Sequence, residues 1–365
     1  IARNPGSNVV ALYALAGDPN APFQSPAPLS AQPNDWTLAI GFSGNGLSVP
    51  AALAIDAAGA VWVVNSSGPA STALSQGSLS KFLPGGASAP LSPYGASSLS
   101  SPDTLTIDPS GNVWAGSTTP GRGNLSEFGT AGTVLSPTAG YTGTLNAPKA
   151  LASDSSGNIW VANNSGTASK LSKASGYTGT LFTLGGSGHN PTALAIDDAG
   201  NVWVSLFFQA TVVELNSAGQ AVAGSPFSGG GISNPESLAI AGTTGSIWIA
   251  NQGSSVTELN STSGVAGGPF TVGGSPERNS IAVDGGSRVW VVGTNGSVSE
   301  LNADGTAASP VPLAGDGRLG HPGGIAIDGS GNVWVLNNSD PFGISELVGA
   351  AAPVKTPNSG VANRP

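Results

Sequence analysis

The chain has 365 residues, a formal net charge of −9, 39% hydrophobic residues and only 8% charged ones, against roughly 25% charged in an average globular protein. Its eleven Lys and Arg are scattered singly, so nucleic acid, whose phosphate backbone needs clustered cations, is not an expected partner. There is no cysteine, which removes disulfides, thiolate metal sites and a cysteine nucleophile, and no apolar run longer than a strand, so no membrane span is expected.

In chain order, residues 1–35 form a Pro-rich extension whose one apolar stretch, "NVVALYALA" at 8–16, suits a turn or two of helix docked on the outside of the folded domain. A lone strand-like segment, "WTLAIGF" at 36–42, comes next. From there one pattern recurs seven times: "LAIDAAGAVWVVNS" from Leu53, "LTIDPSGNVWAGST" from Leu105, "LASDSSGNIWVANN" from Leu151, "LAIDDAGNVWVSLF" from Leu194, "LAIAGTTGSIWIAN" from Leu238, "IAVDGGSRVWVVGT" from Ile281 and "IAIDGSGNVWVLNN" from Ile325. Each copy places two continuous apolar runs around a tight turn, which predicts two antiparallel strands buried on both faces. A third strand follows in every copy: 79–82, 125–128, 169–171, 212–215, 256–259, 298–301 and 344–347. A weaker fourth is seen in "GTLFTLGG" at 179–186 and "GPFTVGG" at 268–274.

The repeat tryptophans, Trp62, Trp114, Trp160, Trp203, Trp248, Trp290 and Trp334, are 42 to 52 residues apart. That is the period of propeller blades. With 55 Gly and 28 Pro for turns, the expected fold is all-β, a seven-bladed β-propeller of four-stranded antiparallel blades over residues 36–348. The seventh copy lacks a fourth strand and the N-terminal segment 36–42 has no blade of its own, so the latter is expected to close the ring and remove its open edge. Residues 349–365 read as an extended tail.

Recurrence separates architecture from function. The turn aspartates Asp56, Asp108, Asp154, Asp197, Asp284 and Asp328 recur in six copies and are expected to accept backbone N–H bonds across their turns. The third-strand charges Lys81, Glu127, Lys170, Glu214, Glu258, Glu300 and Glu346 also recur, and the Trp column reads as packing between blades. Small residues two places after the blade-start proline (Ala52, Thr104, Ala150, Ala193, Ser237, Ser280, Gly324) mark the strand that lines the axial channel.

The column directly after that proline is different. It holds Ala51, Asp103, Lys149, Thr192, Glu236, Asn279 and Gly323. Three charges in seven positions, with Asn279 as a further polar group, exceed what packing requires. The column reads either as a solvated rim with an Asp103–Lys149 ion pair or as a ligand-binding channel mouth. His189 and His321 precede blade starts on the same rim but belong to blades 4 and 7, too far around the ring to share one metal ion. The loop after the second strand carries Asn65, Asn163, Asn164, Asn251, Asn337 and Asn338, whereas in blade 4 it carries Phe207 and Phe208, a contact patch or a packed loop. No G-x-S-x-G or P-loop motif is present, and no catalytic residue, metal ligand or cofactor is assigned.

The repeated P-x-x-L/I-A-I/V-D-x-x-G-N-V/I-W-V pattern resembles the NHL-repeat β-propellers, particularly the secreted ones of environmental bacteria. It is more distantly similar to the streptogramin-inactivating lyases. The resemblance spans residues 36–348 and implies the fold; NHL-type rings host protein binders, RNA binders, lyases and lactone hydrolases. For the lyases it implies Mg²⁺ held by histidines and a glutamate near the axis, with a His directly after the blade proline. None of the seven residues at that position here is His.

The sequence therefore points to a non-catalytic recognition or scaffold propeller that binds a protein or glycan on its blade-start rim. The alternatives are a metal-dependent lyase or hydrolase at the channel mouth near Asp103, Glu236 and a histidine, and a self-assembling subunit of a surface layer or filament. A chain without methionine reads as a processed or trimmed piece of a longer product. Its low charge and its Ser, Thr, Gly and Asn content suit an exported bacterial protein, at the cell surface, outside it or in a periplasm.

Overall fold

The computed structural model describes residues 38–67, 76–118, 123–185, 188–242, 244–261, 264, 266–273, 280–293, 295–308, 312–313, 319–338 and 343–356. The helical turn expected at 8–16, the first two residues of the 36–42 segment and Asn279 lie outside them. Each repeat copy forms one small antiparallel sheet, and the seven sheets make a seven-bladed β-propeller. The innermost strands are Pro50–Ile55, Pro102–Ile107, Pro148–Ser153, Pro191–Ile196, Pro235–Ile240, Ser280–Val283 and Pro322–Ile327. Each touches the innermost strand of the next blade, and the seventh touches the first, so the ring is closed.

The closing device is the N-terminal strand Ala39–Phe42. It pairs antiparallel with Ile344–Leu347, with Ala39 opposite Leu347 and Phe42 opposite Ile344, and becomes the outer strand of blade 7. Phe42 stacks on Trp334, with ring centroids 5.5 Å apart.

Two expectations need correction. Four strands per blade hold for blades 3, 4, 5 and 7; among the described residues, blades 1, 2 and 6 have three. Among the described residues of their outer segments there are isolated bridges such as Leu79 to Tyr94, Leu125 to Tyr141 and Val298 to Leu313. Those segments carry Pro90 and Pro93, Pro137, and Pro312, each lacking a ladder donor, although blade 5 keeps its outer strand around Pro269. Burial on both faces holds for the second strand, which is buried at every position in all seven blades. The first strand is only partly buried because one of its faces lines the channel.

There is no single core. Each repeat tryptophan is buried against the next blade: Trp62 clusters with Leu99, Leu105, Ile107 and Val113, and Trp334 with Ile55, Val61 and Val63 across the ring closure. The turn aspartate fixes the ring edge. In blade 1, Asp56 Oδ1 accepts the N–H groups of Ala58 (3.0 Å) and Ala60 (2.9 Å), while Oδ2 accepts the Trp62 indole N–H (3.0 Å). The same indole bond recurs in blades 2, 3, 4, 6 and 7. A buried indole N–H must have an acceptor, so the Asp-to-Trp spacing of six residues is a packing requirement. Blade 5, with Ala241 in place of Asp, uses a longer turn closed by Ser246 N–H to Thr244 Oγ1.

The chain then returns across the Asp-turn end of the channel. Ala351 N–H donates to Gly331 O (2.9 Å), Ala352 N–H to Asp284 Oδ2 (2.9 Å), Val354 N–H to Asp328 O (3.3 Å) and Thr356 Oγ1 to Asp56 O (2.9 Å). This strap binds blades 6, 7 and 1 together. Gly331 is required beneath it: its φ is +82°, and a Cβ there would collide with Ala351 O. Val354 is buried and lines the lower channel.

Candidate functional site

The opposite end of the channel is where the blade-start column emerges, and the backbone explains why that column is special. In six blades the first strand breaks register with the second between the proline and the residue two places on: Pro50/Ala52, Pro102/Thr104, Pro148/Ala150, Pro191/Ala193, Pro235/Ser237 and Pro322/Gly324. Ala51, Asp103, Lys149, Thr192, Glu236 and Gly323 are therefore the extra residues of β-bulges. A bulged residue has no partner in the ladder, and its side chain is free of the strand's alternation. In five blades the residue before the proline is left-handed, with φ of 44° to 50°: Val49, Ser101, Ala147, Asn234 and His321. The rim is a ring of sharp corners, each offering one side chain.

A cavity of about 890 Å³ opens at this mouth. It is lined by Lys149, Thr192, Glu236 and Gly323 from the bulges, by Asn164, Asn190 and Phe207 from the rim loops, and by Thr104, Ala150, Ala193, Ser237 and Ser280 below. Lys149 is exposed and Glu236 half-buried, so the described residues of the mouth present one cation, one anion and the Phe207 ring. Thr192 is held in place: its hydroxyl donates to Pro235 O (2.6 Å) and contacts Ser205 Oγ (2.9 Å).

Asp103 occupies the same bulge position in blade 2 but does not line the cavity. Burial pushes its carboxyl up to about 6, against the opposing effects of the Lys149 charge, the Thr118 hydroxyl and its own backbone N–H. Its Oδ1 is buried without a hydrogen-bond partner. Lys149 acts on it only through space: the ion pairs within 4.0 Å among the described residues are Lys81–Asp56, Lys170–Asp154 and Arg288–Glu300.

Neither histidine is among the residues that line the cavity. His189 turns Nδ1 onto Leu184 O (2.9 Å), inside its own blade connection. His321 is exposed and fills one of the left-handed corner positions. Phe208 is 70% exposed and meets Phe207 edge-on at 5.2 Å, so blade 4 carries an aromatic step from the cavity wall to the surface. Asn279 lies outside the described residues.

The asparagines that end the second strand, Asn65, Asn163, Asn251 and Asn337, are architectural. Asn65 Oδ1 accepts Ser48 N–H (3.0 Å) and its Nδ2 donates to Ser80 Oγ (3.0 Å), clamping the incoming rim loop to the third strand. Asn163, Asn251 and Asn337 repeat the clamp. Blade 4 has Leu206 at that place and ties Ser205 to Thr192 instead. The lining residue least legible in the sequence was Asn190; the Phe207–Phe208 pair after the second strand is the signal that the rim of blade 4 departs from the repeat.

The metal chemistry implied by the resemblance to lyases does not fit these donors. Among the described residues that line it, the mouth offers one carboxylate, an opposing ammonium and no imidazole, and no group of three or more His, Asp and Glu arranged to hold a metal occurs among the described residues. No helix among them is long and apolar enough to cross a membrane.

No family model matches the chain, and no curated protein matches it. Solved structures with the same fold include a streptogramin B lyase (TM-score 0.65, 15% identity, 85% of this chain and 96% of that one). Virginiamycin B lyase from Staphylococcus aureus matches with a TM-score of 0.65 and 16% identity over 86% of this chain and 98% of that one. A catalytically inactive histidine-to-alanine variant of that enzyme, solved with quinupristin, matches with a TM-score of 0.67 and 16% identity over 86% and 99%. At this identity the likeness is one of fold.

Proposed function

We propose that this chain is an exported, non-catalytic recognition propeller of the NHL type that binds a glycan or protein segment at the blade-start mouth. The observation that carries the reading is the mouth itself. Bulged Lys149 and Glu236 are presented with Phe207 around about 890 Å³, a volume suited to a small ligand or a side-chain cluster. An aromatic wall with a few directed polar groups is what a sugar ring or an extended peptide needs. Binding to glycan and peptide panels, measured by calorimetry, is expected to weaken at least about tenfold, or roughly 1.4 kcal/mol, in a Lys149→Ala/Glu236→Ala double variant. His321→Ala should leave it unchanged. Ligands that bind equally well to the double variant and to Phe207→Ala would sink the assignment.

The fold likeness to streptogramin lyases favours a second reading, a metal-dependent lyase at the same mouth. Incubation with virginiamycin B and Mg²⁺, followed by chromatography, separates the two. No conversion is expected, because the donor set does not suit the metal; turnover abolished by Glu236→Gln would put the enzyme first.

A further inference from the structure

The Asp-turn face, opposite the mouth, carries a side-chain arrangement that recurs between blades. In blade 1 the third-strand Lys81 places its ammonium 3.3 Å from Asp56 Oδ2 and 4.5 Å from the centroid of Trp62, and donates to Thr130 O of blade 2 (2.8 Å). Blade 3 repeats the arrangement: Lys170 Nζ lies 3.9 Å from Asp154 Oδ2 and 5.0 Å from the Trp160 centroid, and donates to Ser217 O of blade 4 (2.8 Å). The fold thus contains an ammonium site at the junction of two blades, made of a turn carboxylate, a tryptophan face and a carbonyl of the following blade.

At the junction of blade 7 with blade 1, the parts are present and the lysine is not. Glu346 stands at the Lys81 position, opposite Trp334 in the ladder. Pro84 of blade 1 stands where Thr130 and Ser217 stand in blades 2 and 4, one place after the residue that closes the turn. Instead of an ammonium there is a cavity of about 360 Å³, lined by Asp328, Glu346, Trp334, Asn332, Pro84 and Thr356. Glu346 is only 6% exposed, lines that cavity, and has no hydrogen-bond or ion-pair partner among the described residues. Its equivalents Glu127 and Glu300 are satisfied by Asn112 and Tyr141 and by Arg288. A buried carboxyl without a partner, facing a second carboxylate, is costly in its ionised form unless a cation joins it. Lys355, beside Thr356 on the strap, is exposed and does not line the cavity.

We propose that the cavity between blades 7 and 1 is a binding site for a primary alkylammonium group, held between Glu346 and Asp328 over Trp334, in the place that Lys81 and Lys170 fill from within blades 1 and 3. The ammonium comes from a small amine or from a lysine side chain of a partner protein. This site is independent of the mouth and of the function proposed for it.

The test uses the full chain at pH 8, where Glu346, its pKa pushed up to about 7 by burial and the Asp328 charge, is mostly ionised. The probes are n-butylammonium, Ca²⁺ and two short peptides differing only in a free or acetylated central lysine. Butylammonium is expected to raise Tm in a dose-dependent way with a millimolar Kd. The free-lysine peptide binds at least about tenfold tighter than the acetylated one if the source is a protein, and no better than butylammonium if it is a small amine. Glu346→Lys supplies the ammonium internally and is expected to raise Tm and abolish the response. Glu346→Gln abolishes the response without adding a charge. A butylammonium response that persists in both variants, no response in the parent protein, or a response to Ca²⁺ alone overturns the proposal.

Discussion

Glu214 shows at residue scale what the repeat leaves unbalanced. It occupies the third-strand position of blade 4, is 3% exposed, and lies near the Asp197 carboxylate. Burial first, and Asp197 second, push its pKa from the ordinary 4.5 up to about 7. Between those two values the unfolded chain has released the proton while the folded chain still holds it. Stability contributed by this group is thus greatest below about pH 4.5, falls through the window up to about pH 7 and is level above it, a loss of ~1–3 kcal/mol. Glu214→Gln cannot ionise. It should match the parent protein near pH 4.5 and exceed it by that amount at pH 8 in urea denaturation; an equal difference at both pH values would contradict the assignment. The column of third-strand charges was legible as architecture in the sequence. Which members have partners was not, because a partner such as Asn112, Tyr141 or Arg288 is a matter of side-chain approach across strands.

At the scale of elements, the strands were legible because their causes are local: apolar runs, a turn aspartate and a tryptophan at a constant offset. The closing strand was legible by subtraction, since segment 36–42 had no blade and blade 7 had no outer strand. Deleting residues 1–42 is expected to leave Ile344–Leu347 as an open edge and Trp334 without the Phe42 ring. The loss of that burial alone is worth about 3 kcal/mol or more, and the bare edge invites pairing with other chains. Light scattering and thermal melting read both effects, and a soluble protein of unchanged Tm would refute the closure. The bulges were not legible. A residue after proline looks the same in a regular strand and in a bulge, and only the pairing with the second strand shows that Lys149 and Glu236 are the extra residues.

For the whole molecule, the decisive feature is that the two channel ends are unlike. The mouth is open and charged, whereas residues 350–356 cross the Asp-turn end and tie blades 6, 7 and 1. The segment Pro322–Ile327 of blade 7 is thus held from both sides, by the closing strand through its sheet and by the strap beneath. Truncation after Val348 removes six hydrogen bonds between the strap and the ring and the burial of Val354, an expected cost of about 3–6 kcal/mol. It also opens the lower cavity, about 240 Å³, to solvent. Chemical denaturation of the truncated chain checks the first effect, and an unchanged unfolding midpoint would mean that the strap only lies on the ring. The mouth is predicted to keep its ligand affinity in that variant, since no strap residue lines it.

Seven copies of one pattern determined the fold from sequence alone, because each blade is written by short-range constraints that repeat until the ring is full. The same repetition identified the turn aspartates, the tryptophans and the lining strand as architecture. Only the tertiary structure decided which exceptions converge. Lys149, Glu236 and Phe207 belong to blades 3, 5 and 4 and meet at one mouth, while Asp103 turns into the wall and His189 into its own loop. Likewise Glu346 and Pro84, more than half the chain apart in sequence, share one cavity because the last blade abuts the first. Closure of a ring brings distant residues together without leaving any trace in local sequence, and both proposed sites of this protein lie at such meetings.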